Sequence, residues 1–196
     1  MHKTIERLKD GKTPKEKSGV IWHTQGSGKS LTMVFLTIKM RRDPDLRDYK
    51  LVFLTDRTQL DSQLTSTFSK AQGETVHHAD SVKSLKELLS SDASDIITAM
   101  VQKFQERADE FEFPVLNESE KIIVLADEAH RTQYGALGAA INTALPNAPR
   151  TAFTGTPLIN AILSSVGGLL GWGAGFAIGA PFGGVPGFFT GVAGAL

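Results

Sequence analysis

The sequence predicts a doubly wound α/β domain built on a parallel sheet. Five short apolar runs predict buried strands, because continuous hydrophobicity is typical of parallel strands that are covered on both faces. The runs are 19–22, 50–55, 95–100, 121–126 and 150–153. Longer stretches of mixed polarity separate them, and in two of these, 29–41 and 59–70, apolar residues recur at helical spacing. Strands that alternate with helices indicate a parallel sheet with helices on its faces.

Length and composition bound the possibilities. The 196 residues suffice for one sizeable domain and are few for two. Lys and Arg total 21 against 21 Asp and Glu, so any nucleic-acid contact must come from a local surface. The absence of cysteine excludes disulfides, thiolate metal sites and a cysteine nucleophile, and it fits a cytoplasmic location. Residues 1–18 are expected to form a short polar helix or arm, and they lack the apolar core of a secretory signal.

The segment HTQGSGKS follows the first predicted strand and opens the first long helix, which is the context of a phosphate-binding loop. Gly26 and Gly28 allow a tight turn in which backbone N–H groups, including that of Ser27, point at phosphate oxygens. Lys29 is suited to neutralise the β and γ phosphates of ATP, and the Ser30 hydroxyl is suited to bind Mg²⁺. The full pattern has glycine at position 23, where this chain has His23. The alternative is a glycine-rich turn that binds nothing.

A second motif, Asp127-Glu128-Ala129-His130, follows the strong strand signal at 121–126. Carboxylates at the carboxyl end of a parallel strand face the same crevice as the phosphate loop. Asp127 is therefore predicted to hold Mg²⁺, and Glu128 to orient and deprotonate the attacking water. A DEAH match is weak alone, but its position after a strand and downstream of a phosphate loop makes it specific.

Together these segments resemble the motor domain of the restriction (R) subunit of type I restriction-modification enzymes, which are superfamily 2, DEAD/DEAH-box helicase-like ATPases. The segments that carry the resemblance lie at 19–33, 54–57, 101–104, 126–131 and 153–158. The resemblance implies the first RecA-like domain of a P-loop NTPase, with ATP and Mg²⁺ as cofactors. It also implies double-stranded DNA as the track, and modification and specificity subunits as partners of the intact protein.

The resemblance also implies roles for residues outside the phosphate loop. Arg57 and Gln63 match a motif that grips the phosphates of one DNA strand, although both are also compatible with a solvated helix start. Thr98 matches a hydroxyl that bonds a DNA phosphate. Thr154 and Thr156 match the motif that relays the state of the nucleotide to the DNA side. His130 is the usual partner in that relay, or alternatively a helix-start residue bonded to the backbone.

Three further expectations concern single residues and the extent of the chain. His77 and His78 are expected on a surface loop, and Trp22 and Phe53 in the core. No sequence resembling a second motor domain or a nuclease region is found, so we expect a fragment of a larger motor. Two alternatives remain open: a fragment of another superfamily 2 helicase, and an inactive nucleotide-binding relic with a membrane-associating tail.

The domain organisation follows from a change of composition after Pro157. Residues 19–157 are assigned to the ATP-binding domain, and 158–196 to an apolar tail outside the family pattern that has no charged residue. Glycine recurs at every fourth position from Gly167 to Gly191, which in a helix places the glycines on one face and permits close helix pairing. The segment 158–180 is about long enough to cross a bilayer as a helix, which predicts possible membrane association.

We expect a chain truncated after Leu158 to be more soluble than the full chain and to bind ATP no worse. The reason is that an uncharged, glycine-rich tail cannot bury itself against a closed domain, and each glycine disfavours a helix in water by about 1 kcal/mol relative to alanine. Solubility, calorimetry and thermal melting of both chains test this. Loss of cooperative melting on truncation would show that the tail belongs to the core.

Overall fold

A parallel sheet forms the centre of the structure, a computed structural model that describes residues 1–24, 27–55, 62, 65–67, 76–100, 113–127, 134–155 and 177–179. The strands of this described part are β1 Gly19–Trp22, β2 Lys50–Thr55, β3 Val76–Ala79, β4 Ile96–Met100, β5 Ile122–Asp127, β6 Arg150–Thr154 and β7 Ala177–Gly179. Their order across the sheet is β3-β4-β2-β5-β6-β1-β7, and all neighbours are parallel. The five predicted strands are confirmed, with ends that shift by one residue at most.

The helices of the described residues are α1 His2–Asp10, α2 Pro14–Lys17, α3 Lys29–Arg42, α4 Val82–Ser90 and α5 Tyr134–Ala144. Local sequence explains where two of them begin. Thr13 caps α2 by accepting a hydrogen bond from the Glu16 amide, and Pro14 occupies the first helical position. Ser81 caps α4 in the same way, with its hydroxyl accepting from the amide of Ser84 at 3.1 Å.

The strands are apolar throughout because both faces of the sheet are covered. Alternate side chains point to opposite faces, and each face has its own cluster of buried residues. One cluster joins Ile21, Leu51, Phe53, Ile123, Leu125 and Phe153 to side chains of α1 and α3. The other joins Val52, Leu54, Ile97, Ala99, Val124 and Ala126 to side chains of α4 and α5. Helices cover both faces of the sheet, which confirms the doubly wound arrangement. Full burial of each large side chain contributes about 1.5–3 kcal/mol to the stability of this packing.

Two local expectations need correction, and one segment is placed more closely. His77 and His78 lie in strand β3 and not in a loop, since β3 pairs with β4 through residues that include the buried Val76 and Ala79. The polar N-terminal segment contains helix α1, which packs on the domain through the buried side chain of Leu8. Phe53 is fully buried as expected, whereas Trp22 is only half-buried.

The tail differs from expectation where the structure describes it. Ala177–Gly179 forms β7, which pairs in parallel with β1, whereas the sequence predicts a tail that is independent of the sheet and helical only in a membrane. The other residues of the tail beyond 158 lie outside the described part. Within the described ranges, none of the helices has the length and apolarity needed to cross a membrane. The truncation experiment therefore also tests whether β1 needs β7 as a neighbour.

Arg41, near the end of α3, fastens two connecting segments to the base of the sheet. Its guanidinium donates to the carbonyl oxygens of Arg47, Tyr49 and Ser94 at 2.8, 2.6 and 2.8 Å. The Arg41 side chain is only 9% exposed, so water has little access to replace these hydrogen bonds. Arg41 thus links the segment before β2 to the segment before β4.

Two other buried cations stabilise helix ends at the same edge of the sheet. Lys50 Nζ donates to the carbonyls of Leu88, at 2.6 Å, and Ser91, at the end of α4. Arg150 Nη2 donates to the carbonyl of Leu145 at 3.0 Å, just after α5. Burial lowers the pKa of both cations, and for Lys50 the carboxylates of Asp95 and Asp92 offset part of that effect.

We expect Arg41→Ala to lower the free energy of unfolding by about 2–4 kcal/mol, because three hydrogen bonds from a charged donor are lost at a poorly hydrated position. Denaturant unfolding measures the change. The adjacent, exposed Arg42 supplies the control, and Arg42→Ala should change stability by less than about 0.5 kcal/mol. Equal effects of the two variants would contradict the assigned role of Arg41.

Candidate nucleotide-binding site

The site lies where three adjacent parallel strands end. Trp22, the last residue of β1, pairs with Thr154 of β6, and Asp127, the last residue of β5, pairs with Phe153 of β6. The chain leaving β1 stays beside β6 for one more residue, because the amide of His23 donates to the Thr154 carbonyl at 2.9 Å. The phosphate-loop motif and the DEAH motif therefore begin at the same edge of the sheet, as the sequence predicts.

Gly28 connects the loop to helix α3. It adopts φ 83° and ψ 29°, a left-handed conformation that glycine reaches without strain. A Cβ at this position would meet no atom within 4 Å, so glycine is needed for its backbone conformation and not for space. Gly28 caps α3 without a side chain, and the first turn of the helix has no acidic residue. Such a helix N-terminus is suited to bind an anion.

Lys29 and Asp127 form a buried ion pair across this edge. Lys29 Nζ lies 3.4 Å from Asp127 Oδ1, and the two side chains are 8% and 0% exposed. Two opposite charges at this depth stabilise each other, because neither is well hydrated. The residue assigned to phosphate and the residue assigned to Mg²⁺ are thus in contact. A cationic and an anionic side chain together fit a metal–nucleotide complex, because Lys29 can bind the phosphates and Asp127 can bind the metal ion.

The remaining nucleotide-site predictions fall partly within the described residues. Ser30 is half-buried in the first turn of α3, directly after Lys29. Ser27 is exposed, and its amide donates to the Thr24 carbonyl at 3.2 Å. The other predicted site residues, which are Gly26, Glu128, His130, Arg57, Gln63 and Thr156, lie outside the described part of the chain.

Thr154 and Thr98 have different surroundings. Thr154 ends β6, is 2% exposed, and accepts the His23 amide through its carbonyl, so it connects β6 directly to the phosphate loop. Thr98 lies within β4, is also 2% exposed, and its hydroxyl is 2.9 Å from His78 Nδ1. The coupling role of Thr154 and the DNA-contact role of Thr98 stay predictions.

Comparison with known proteins identifies the family. The SWI2/SNF2 ATPase profile matches residues 1–166, which includes the start of the tail. The chain belongs to the SWI2/SNF2 ATPase family. The predicted resemblance to type I restriction enzymes is also confirmed, because the curated relatives that it matches are endonuclease subunits of such enzymes.

Two relatives and one solved structure illustrate the likeness. A putative type I restriction enzyme MjaIXP endonuclease subunit of Methanocaldococcus jannaschii is 41% identical over 157 residues, 80% of this chain and 15% of that protein. The HindI endonuclease subunit of Haemophilus influenzae is 39% identical over 156 residues, 71% of this chain and 15% of that protein. The Hef helicase domain of Pyrococcus furiosus superposes with a TM-score of 0.54 at 17% identity, covering 91% of this chain and 37% of that one. The chain thus spans about 15% of the length of these curated relatives, and the superposition supports the RecA-like fold.

His23 is a site residue whose role sequence reasoning missed. In this SWI2/SNF2 domain its ring is 7% exposed and lies between two hydroxyls, with Nδ1 at 2.5 Å from Ser27 Oγ and Nε2 at 3.2 Å from Thr32 Oγ1. The sequence showed only that histidine replaces the glycine of the full pattern. The polar residues around it, at positions 27 and 32, were the signal that could have indicated a side-chain contact.

Burial lowers the pKa of His23, and the nearby positive charge of Lys29 lowers it further. The ring is therefore neutral at pH 7. Because the folded pKa lies below the ordinary value of about 6.5, the unfolded chain takes up the proton more readily. The contribution of His23 to stability is present above that value and is lost as the pH falls below it.

We therefore expect the wild-type domain to lose thermal stability between pH 7 and pH 5 more steeply than the variant His23→Gln, whose side chain does not titrate. Melting temperatures measured at intervals of half a pH unit test this. The other histidines are present in both proteins, so the difference between the two curves isolates His23. Parallel curves would show that His23 does not change its protonation differently in the folded and unfolded states.

Proposed function

We propose that this domain binds Mg-ATP between the phosphate loop and Asp127, and that hydrolysis in the full-length protein drives translocation along double-stranded DNA within a type I restriction enzyme. The buried Lys29–Asp127 pair beside the Gly28-capped helix carries the proposal. It supplies one cation and one anion at the edge of the sheet where nucleotides bind in open α/β folds. The SWI2/SNF2 family assignment and the restriction-enzyme relatives support the wider role.

The ion pair implies that nucleotide and metal bind together. Lys29 can turn to a phosphate oxygen only if another cation compensates Asp127, because an unpaired buried carboxylate is costly. Mg²⁺, held by Asp127 and the Ser30 hydroxyl, would supply that charge and screen the phosphates. The Gly28 amide and the helix N-terminus would hold the phosphates, with Gly26 completing the turn, and the Ser27 amide would join them only by leaving the Thr24 carbonyl. Nucleotide without Mg²⁺ should therefore bind poorly.

Hydrolysis would depend on the residues that follow Asp127. Glu128 would orient the attacking water and accept its proton, a role that suits a carboxylate adjacent to the metal ligand. His130 would pass the state of the site to Thr154 and Thr156. The amide–carbonyl bond between His23 and Thr154 supports this route, because it gives the end of β6 a direct contact with the phosphate loop.

We assign DNA contact to Arg57, Gln63 and Thr98, although the Thr98 hydroxyl is buried and would have to exchange His78 for a phosphate oxygen. Thr98 lies two strands from β5, and its neighbour His78 is exposed, so this corner of the sheet reaches solvent. Modification and specificity subunits are the proposed protein partners, since the relatives are endonuclease subunits of multisubunit enzymes.

We expect Lys29→Ala to abolish measurable binding of Mg-ATP, because the variant lacks the cation opposite the β and γ phosphates. Titration calorimetry on the full chain, with and without Mg²⁺, measures the affinity. Lys39→Ala is the matched control, because Lys39 is an exposed lysine on the same helix. It should bind Mg-ATP as tightly as the wild type.

Melting curves of both variants accompany the titrations, since Lys29→Ala also leaves Asp127 without this cation. Asp127→Asn, which removes the negative charge but keeps the shape, should lose the dependence on Mg²⁺. Unchanged affinity in folded Lys29→Ala would refute the nucleotide-site assignment.

A further inference from the structure

The side chain of His23 joins the phosphate loop to the helix that follows it. Its Nδ1 contacts the hydroxyl of Ser27 in the loop, and its Nε2 contacts the hydroxyl of Thr32 in α3, at 2.5 and 3.2 Å. A glycine at position 23 would make neither contact, so its loop would be held by the backbone alone. At the position where the full pattern has glycine, this chain has a histidine whose side chain contacts both the loop and the helix after it.

Counting hydrogens assigns the tautomer of the ring. The single hydroxyl hydrogen of Ser27 is donated to the Thr24 carbonyl at 2.5 Å, so Ser27 can only accept from the ring, and Nδ1 must carry the proton. The neutral ring then has a bare Nε2. The Thr32 hydroxyl lies 3.2 Å from this nitrogen and also 3.2 Å from the Gly28 carbonyl, which already accepts the Thr32 amide, so its hydrogen can be donated to Nε2.

We propose that His23 is a positioning residue whose Nδ1–H imidazole holds the phosphate loop in its nucleotide-binding shape. The inference rests on the proposed nucleotide site. Ordering a loop costs backbone entropy, and a loop that is ordered before the ligand arrives does not subtract this cost from the affinity. His23 acts on the nucleotide through Ser27, Gly28 and Thr32.

The charges around the ring favour the neutral form that this arrangement uses. Lys29 of α3 and the α-amino group of Met1 both disfavour a second proton on His23, in addition to its burial. Asp127, the buried carboxylate of the neighbouring strand β5, is paired with Lys29. The neutral tautomer is therefore the form present when the nucleotide binds near pH 7.

Two isosteric variants separate the two contacts of the ring. The amide nitrogen of His23→Asn can occupy the place of Nδ1 and donate to Ser27, whereas the amide oxygen of His23→Gln can occupy the place of Nε2 and accept from Thr32. Each variant loses one hydrogen bond, so we expect Mg-ADP to bind about 3- to 10-fold more weakly to each. His23→Ala loses both contacts and should bind more weakly than either.

Thr32→Val tests the helix contact without changing the loop, and Thr37→Val is its matched control. Both threonines lie on α3, and each hydroxyl also lies near the carbonyl four residues earlier, at 3.2 Å for Thr32 and 2.9 Å for Thr37. Thr37 lies one turn further along the helix, where its hydroxyl bonds Met33. Mg-ADP affinity should fall about 3- to 10-fold in Thr32→Val and stay unchanged in Thr37→Val. In the His23→Asn background, Thr32→Val should cause no further loss, because the contact is already absent.

Nitrogen NMR of the imidazole in the full, nucleotide-free chain gives a readout that does not depend on binding. We expect a protonated Nδ1 and a bare Nε2 at pH 7.5. An Nε2–H tautomer, or equal Mg-ADP affinity in wild type, His23→Asn, His23→Gln and Thr32→Val, would overturn the inference while leaving the nucleotide site intact. Failure of the wild type itself to bind Mg-ADP would overturn the proposed function and this inference together.

Discussion

The parallel pairing of β5, β6 and β1 is the constraint on which the candidate site depends. Register in a parallel sheet has a period of two, so a slip of β6 by one residue would exchange its two faces and move Thr154 away from His23. It would also change where β5 ends relative to β1, and with it the approach of Lys29 to Asp127. The 3.4 Å separation of that buried pair is therefore a product of strand register as much as of local motif sequence. Apolar packing on both faces of the sheet fixes that register.

Much of the fold could be predicted from the sequence because the central strands are buried on both faces. Continuous apolar runs are a strong signal, and β1 and β2 were predicted with the ends that the structure has. The edge strand β3 gave no such signal, since two of its four residues are His77 and His78. Its pairing with β4 depends on long-range contacts of Val76 and Ala79 that periodicity cannot show. The three-residue strand β7 lies in a segment whose glycine spacing favoured a helix, and its pairing with β1 could not be foreseen from local propensity.

The candidate site divides in the same way between local and long-range information. The positions of Gly28, Lys29 and Asp127 followed from short motifs, because strand ends and the helix start determine them. The role of His23 was missed, since the polar residues at 27 and 32 only hint at a contact that forms when the loop has folded. The surroundings of Thr98 also could not be predicted from the sequence. A strand-end hydroxyl was expected there, but the side chain is buried and faces His78 of the neighbouring strand.

The buried cations have a consequence for how this part of the molecule can contact a polyanion at close range. Lys29, Arg41, Lys50 and Arg150 are all withdrawn from solvent, whereas Asp127 is the one acidic side chain that is buried among the residues the structure describes. Burial does not remove these four positive charges from the long-range field, but it keeps them from making close contacts with DNA phosphates. Short-range contacts with a duplex must therefore come from exposed basic side chains, and added salt should weaken those contacts by screening.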